Sequence, residues 1–263
     1  MTPDLLIDGR RVPFAGAHNF RDLGGYIGYG GRPVRYGRVF RSDHLNTLTD
    51  ADLDLFETLG IQVVHDFRLE KERERQPSRY PPNAPEVLIL ATSDTTNIDE
   101  TLIDVVMDML AGRRPMAPPT FWEENYIDLV DNGRPMFVKL FASMADLDRL
   151  PTMFHCTGGK DRTGIAAALL LRMLGVDETT IVNDFLLTNT YRTPQRLEAL
   201  RPQFRALGIT DEQVMPILGV TEAALRTALS RIDGPYGGPE RYLIDAGLDP
   251  AVPARLRQLL LSS

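Results

Sequence analysis

The sequence predicts an α/β fold with a central, largely parallel sheet flanked by helices. Three short apolar runs, "IQVVHDF" at 61–67, "EVLIL" at 86–90 and "TMFHC" at 152–156, read as strands buried on both faces. Segments of helical pattern alternate with them, as crossover connections of a parallel sheet require. The last run is followed by "RTGIAAALLLRMLGV", apolar nearly all round, the signature of a central buried helix.

Taken in order, the N-terminal third reads as strands and turns, with "GGYIGYGGRPVRYGRVFRS" punctuated by glycines like a hairpin. A helix follows, with Thr49 as N-cap, Leu48 and Leu53 placed for a hydrophobic staple, and Gly60 as its stop. "RLEKERER" reads as a solvated charged helix with pairs such as Glu70 and Arg73. The segment "NIDETLIDVVMDMLAG", residues 97–112, carries an amphipathic stripe and is expected either to pack on the sheet or, within an insertion over 97–135, to arch over the site as a lid. The central helix stops at Gly175. A helical flank is expected over 177–263, with starts at Asp177, at Thr210 with Gln213, and at Asp249 before Pro250. No repeat or linker divides the chain, so residues 1–263 are expected to form a single domain.

Composition narrows the function. A net charge of −7 argues against a nonspecific nucleic-acid binder, which needs surplus cations to displace counterions. No apolar run approaches the ~20 residues that span a bilayer, so integral membrane association is not expected. The N-terminal residues show no basic stretch followed by an apolar one, which makes a reducing cytoplasm the expected location; export without such a signal stays open, as does oligomeric state.

The chemistry concentrates in "FHCTGGKDRTG", residues 154–164, which holds the chain's single cysteine. A strand, a glycine-bearing loop and a helix start in succession form an anion site, because unpaired N–H groups and the positive end of the helix dipole converge there. In that field a thiol ionises readily, and thiolate is the nucleophilic form. Arg162, six residues after Cys156, offers a planar fork for two phosphate oxygens. An ATP-binding loop is excluded, since Gly159 and Lys160 are followed by Asp161 where a serine or threonine is required. A sulfurtransferase loop is typically one residue shorter and lacks the Arg-Thr ending.

The segment "HCTGGKDRTG" resembles the C-x5-R-[ST] signature of the cysteine-dependent protein tyrosine phosphatase superfamily. With "NFRDLGGY" at 19–26, "DFLLTN" at 184–189 and "ERYLIDAGL" at 240–248, the chain resembles its bacterial tyrosine-phosphatase-like family over most of its length. The resemblance implies a phosphatase needing no metal or cofactor, with Cys156 as nucleophile and Arg162 as phosphate ligand. It implies a cradle formed by Thr157, Gly158, Gly159, Lys160, Asp161, Arg162 and Thr163, with the Thr163 hydroxyl bonded to the sulfur. Lys160 in relatives accompanies activity on phosphoinositides, so phosphorylated proteins and phosphoinositides are both expected substrates. His155 is expected to support the loop by hydrogen bonds. The "NFRDLGG" segment is expected to form a structural turn tied to the sheet around Gly24 and Gly25, with Asp22 as a residue that could order the loop from outside.

Expelling the leaving group needs a proton donor. Asp66, at the carboxyl end of a buried strand where α/β sheets bind ligands, is the expected acid, with Asp161 as the alternative. The structural alternative for Asp66 is an N-cap or an ion pair with Arg68. The competing function for the whole site is a catalytically silent phosphate-binding module.

Overall fold

The computed structural model describes residues 6–91, 108–109, 112–115 and 121–263. Apart from residues 108, 109 and 112, the expected amphipathic helix over 97–112 lies outside the described residues. Among the described residues no helix is long and apolar enough to cross a membrane.

Among the described residues the sheet has five strands: β1 (Arg21–Asp22), β2 (Val39–Ser42), β3 (Val63–Asp66), β4 (Glu86–Ile89) and β5 (Thr152–His155), in the order β1-β2-β5-β3-β4. Only β1 runs antiparallel to its neighbour; the other pairs are parallel, as the buried apolar runs predict. The expected early hairpin is reduced to a single bridge between Ile27 and Pro33 around a glycine turn. β4 departs from the expectation of burial on both faces. Among the described residues it forms an edge of the sheet, and Val87 and Ile89 are exposed.

Register decides where the chemistry sits. His155 of β5 stands opposite Ser42 of β2 and Asp66 of β3, so three parallel strands end level with one another. Cys156 therefore leaves the middle of the sheet between Asp43 and Phe67, at the carboxyl edge.

Helix α1 (Asp50–Thr58) covers one face, where Phe14, Phe20, Phe40 and Phe56 pack. Its N-terminus carries the expected Thr49 cap: the Asp52 amide donates to Thr49 Oγ1 at 3.1 Å, and Asp52 Oδ2 accepts the Thr49 amide at 2.9 Å. A short helix, α2 (Glu70–Arg75), follows β3. On the other face α3 (Phe121–Asn132) and α4 (Arg134–Met144) pack around the central helix α5 (Asp161–Met173). From Thr163 to Met173 only Arg172 of α5 escapes burial, which is what its apolar run requires.

The helical flank comprises α6 (Glu178–Tyr191), α7 (Thr193–Ala206), α8 (Asp211–Leu218), α9 (Glu222–Tyr236), α10 (Pro239–Ile244) and α11 (Val252–Leu260). The signals at Asp177 and Thr210 hold: the Thr180 amide donates to Asp177 Oδ1 at 2.9 Å, and the Thr210 amide to Gln213 Oε1 at 2.8 Å. The Asp249 signal forms a turn instead, its carboxylate accepting from Ala251 N, and α11 begins beyond it.

Burial of imidazoles sets an acid limit on stability. His65 packs beneath β5, with Nε2 2.9 Å from Ser143 Oγ, and burial pushes its pKa down to about 4; burial does the same to His44. Because the unfolded chain titrates near 6.5, it binds more protons than the native state between these values. These groups contribute fully above about pH 6.5, and stability is lost as pH falls toward 4. We expect the urea midpoint to decline from pH 7 to 4.5 with a smaller slope in His65→Asn; a flat midpoint would contradict this.

Candidate active site

The loop from Cys156 to Arg162 is built around its sulfur. The Gly159 amide lies 3.2 Å from Cys156 Sγ, and the Thr163 hydroxyl donates to the same atom at 3.1 Å. Gly159 achieves this with φ of +62°, and a Cβ there would come within 2.5 Å of the Ser42 carbonyl, so only glycine fits. The thiol is buried at 3% exposure, at the sheet edge and before the N-terminus of α5.

The loop's carbonyls are tied on its outer side. Thr157 O accepts from His44 N at 3.2 Å, Gly158 O from Asn19 Nδ2 at 3.3 Å, and Gly159 O from both Asn19 Nδ2 at 2.9 Å and Arg41 Nη2 at 2.8 Å. Anchoring the acceptors away from the sulfur frees amide donors to face an anion.

Asn19 can do this only with its amide oriented one way. Arg21 Nη1 donates to Asn19 Oδ1 at 2.6 Å, and because a guanidinium has no acceptor, the Asn19 NH2 must face the loop. Arg21 and Arg41 in turn share Asp184, at 3.0 and 2.7 Å, and Tyr26 OH donates to the same carboxylate at 3.0 Å. All four side chains are buried, and the two arginines outnumber their carboxylate. Burial alone would raise the Asp184 pKa, but Arg21 and Arg41 hold it well below the ordinary carboxylate range. Burial and Arg21 draw Arg41 down to about 10, so it stays charged at neutral pH. The "NFRDLGGY" and "DFLLTN" motifs are thus two halves of one support beneath the loop. Asp22 is not part of it: its carboxylate accepts from Gly24 and Gly37 amides at 2.7 and 2.6 Å, which closes a turn.

The two candidate acids have different surroundings. Asp66 forms an ion pair with Arg68. It is 1% exposed, and Arg68 grips both oxygens, Nε to Oδ1 at 2.9 Å and Nη2 to Oδ2 at 2.7 Å. Burial alone would raise its pKa, but the His155 and Arg68 side chains hold it below the ordinary value. His155 stands 3.7 Å from Asp66 Oδ2 and 3.2 Å from the Cys156 carbonyl, a supporting position. Asp161 is about a quarter exposed at the loop's end; Tyr126 OH donates to its Oδ1 at 2.6 Å, and Lys160 Nζ lies 3.8 Å from Oδ2.

Lys160 is not a solvent-facing loop lysine. Its ammonium donates to the carbonyls of Ile217 at 2.6 Å and Gly219 at 3.3 Å, at the negative C-terminal end of α8. The cation beside Gly158 is Arg192, whose guanidinium carbon would stand 3.7 Å from a Cβ on that glycine. It pairs with Asp43 at 3.6 Å, and Arg196 follows one helical turn later on α7. No local sequence pattern marks these arginines, because their approach to the loop depends on helix packing.

The charged segment after β3 is more than a solvated face. Glu72 of α2 is turned inward, and Arg162 donates to it through Nη1 at 2.8 Å and Nη2 at 2.7 Å. Glu72 also accepts from the Thr157 hydroxyl. The i, i+3 pattern of "RLEKERER" could not reveal this, because the partner lies ninety positions along the chain.

The tyrosine phosphatase family model matches residues 12–262. A Cupriavidus necator protein provisionally named as a tyrosine-protein phosphatase is 33% identical over 241 residues, covering 91% of this chain and 85% of the relative. The triple specificity protein phosphatase PtpB of Mycobacterium tuberculosis is 29% identical, over 96% of this chain and 99% of its own length. A tyrosine-protein phosphatase of Nostoc commune is 27% identical, over 79% and 69%.

Proposed function

Because the chain belongs to the tyrosine phosphatase family, we propose that its 263 residues act as one catalytic domain that hydrolyses phosphotyrosine through a cysteinyl-phosphate on Cys156. The observation that carries this reading is the double donation to Cys156 Sγ from the Gly159 amide and the Thr163 hydroxyl. A sulfur anion is what two convergent donors at a helix N-terminus stabilise. The thiolate attacks phosphorus, an S–P bond forms, and the P–O bond to the leaving group breaks. Arg162 and the loop amides hold the phosphoryl oxygens as charge redistributes. Water then attacks phosphorus, the S–P bond breaks, and phosphate leaves with the thiolate restored, the Thr163 hydroxyl favouring its departure.

We assign the proton transfers to Asp161. It protonates the departing oxygen and later accepts the proton of the attacking water. Asp66 is a poor donor because both oxygens already accept from Arg68 and its proton is held weakly. Asp161→Asn is expected to lower kcat on phosphotyrosine peptides about 100-fold, with a smaller loss on aryl phosphates whose phenol leaves easily. Asp66→Asn is expected to lower the urea midpoint, by leaving Arg68 buried without its counter-ion. A leaving-group-dependent loss in Asp66→Asn, with Asp161→Asn unaffected, would reverse the assignment.

The substrate range extends, in this reading, to phosphoserine, phosphothreonine and phosphoinositides. The name of the mycobacterial relative supports a range beyond phosphotyrosine. Arg192 beside Gly158, with Arg196 one turn further along the same helix, supports a ligand bearing a second phosphate, taking the part expected of Lys160. The test is turnover of phosphotyrosine, phosphoserine and phosphothreonine peptides and of a phosphoinositide in vesicles, all in excess EDTA. Turnover of at least the phosphotyrosine peptide is expected; binding of orthovanadate without turnover of any substrate would favour a silent phosphate-binding module.

A further inference from the structure

A guanidinium is planar, so fixing one of its edges fixes the direction of the other. In Arg162 one edge is fully engaged: Nη1 donates to Phe67 O at 2.8 Å as well as to Glu72 Oε2, and Nη2 donates to Glu72 Oε1. Among the described residues Arg162 Nε makes no hydrogen bond to a protein acceptor. We propose that Glu72 is a positioning residue, clamping the outer edge of Arg162 so that its Nε edge is presented to the substrate phosphoryl group. This rests on the reading of Arg162 as phosphate ligand.

Glu72 is suited to that part by its connections. Its carboxylate also accepts the Thr157 hydroxyl and, through Oε2, the Leu69 amide at 2.8 Å. One side chain thereby ties the start of α2, the first residue after the cysteine, and the arginine six positions beyond it. Burial alone would raise its pKa, but Arg162, Thr157 and Leu69 hold it down to about 2, so it stays charged wherever the enzyme could work.

The segment bearing Glu72 is itself held in place. Arg68, fixed by Asp66, donates through Nη1 to Gln76 O at 2.6 Å and through Nη2 to Ser78 Oγ at 2.7 Å, closing the chain on both sides of α2. The route of support runs from Asp66 through Arg68 and α2 to Glu72, and from Glu72 to Arg162. It explains why Asp66 and Arg68 are buried at the sheet edge without contributing a proton.

The test compares Glu72→Gln with wild type and with Glu70→Gln, an exposed neighbour expected to behave as wild type. With a phosphotyrosine peptide, kcat/KM of Glu72→Gln is expected to fall about 100-fold, the scale on which a misplaced group acts. Its inhibition constant for orthovanadate is expected to weaken by a comparable factor. On an Arg162→Lys background the same change should cost less than about threefold, since the fork it aims is already gone. Wild-type kcat/KM and orthovanadate affinity in Glu72→Gln would overturn the proposal, as would a full loss persisting on the Arg162→Lys background. If Glu72→Gln proves unstable, Glu72→Asp, which keeps the charge but is one methylene shorter, is read in the same assays with the same expectation. A wild type that fails to turn over phosphotyrosine would defeat the catalytic reading, and orthovanadate affinity would then decide the role of Glu72.

Discussion

Cys156→Ser is expected to reduce phosphotyrosine hydrolysis by about 10⁴-fold or more, the scale on which loss of a covalent nucleophile acts in other hydrolases. The change is nearly isosteric, and the donors at Gly159 and Thr163 remain to meet a hydroxyl. A serine hydroxyl is a far weaker nucleophile than a cysteine sulfur, so the nucleophile is lost while the phosphate cradle survives. The variant should therefore retain a phosphotyrosine peptide without consuming it, measurable by calorimetry beside a turnover assay. Acid-quenched wild type should carry phosphate on Cys156, and Cys156→Ser should carry none. Residual turnover within about tenfold of wild type would rule out the cysteine mechanism.

Asp184→Ala is expected to be the most damaging change away from the sulfur. It leaves Arg21 and Arg41, both fully buried, facing each other without a counter-ion, and removes the acceptor of Tyr26 OH. Breaking a buried pair by removing one partner costs about 3–5 kcal/mol, and solvent screening gives no relief at this depth. Urea denaturation at pH 7 should show the midpoint shift at a nearly unchanged slope. The loop should suffer as well, because Arg41 holds Gly159 O and Arg21 orients Asn19. Under conditions where the variant remains folded, kcat/KM should still fall. A destabilisation below about 1 kcal/mol would show that the two arginines do not depend on this carboxylate.

These two expectations differ in how far the chain itself announces them. Cys156, Arg162 and Thr163 lie within eight residues, and a strand, a glycine loop and a buried helix are legible there from local pattern alone. Asp184 is visible in the sequence only as part of a motif carried by resemblance. Its partners lie more than a hundred positions away, so no periodicity could report the shared carboxylate.

Asp66 shows where local reasoning divides. Its place at the carboxyl end of a strand follows from the apolar run before it, and that place is equally consistent with an acid or with an ion pair. Arg68, two residues on, folds back on it, and that ion pair supports the second reading without deciding against the first. Lys160 behaves likewise: its position in the loop was plain, but its ammonium turns to the end of α8, whose approach depends on the packing of the helical flank.

The amino-acid sequence by itself determined the strand order's raw material, the buried helix α5 and its preceding anion loop, since short-range hydrophobic pattern and glycine placement specify these within a few residues. Only the tertiary structure decided which charges meet. It set Asn19, Arg21, Arg41 and Asp184 beneath the loop and Glu72 against Arg162, because ion pairing acts through space, and register and helix packing alone bring such distant side chains within hydrogen-bond reach.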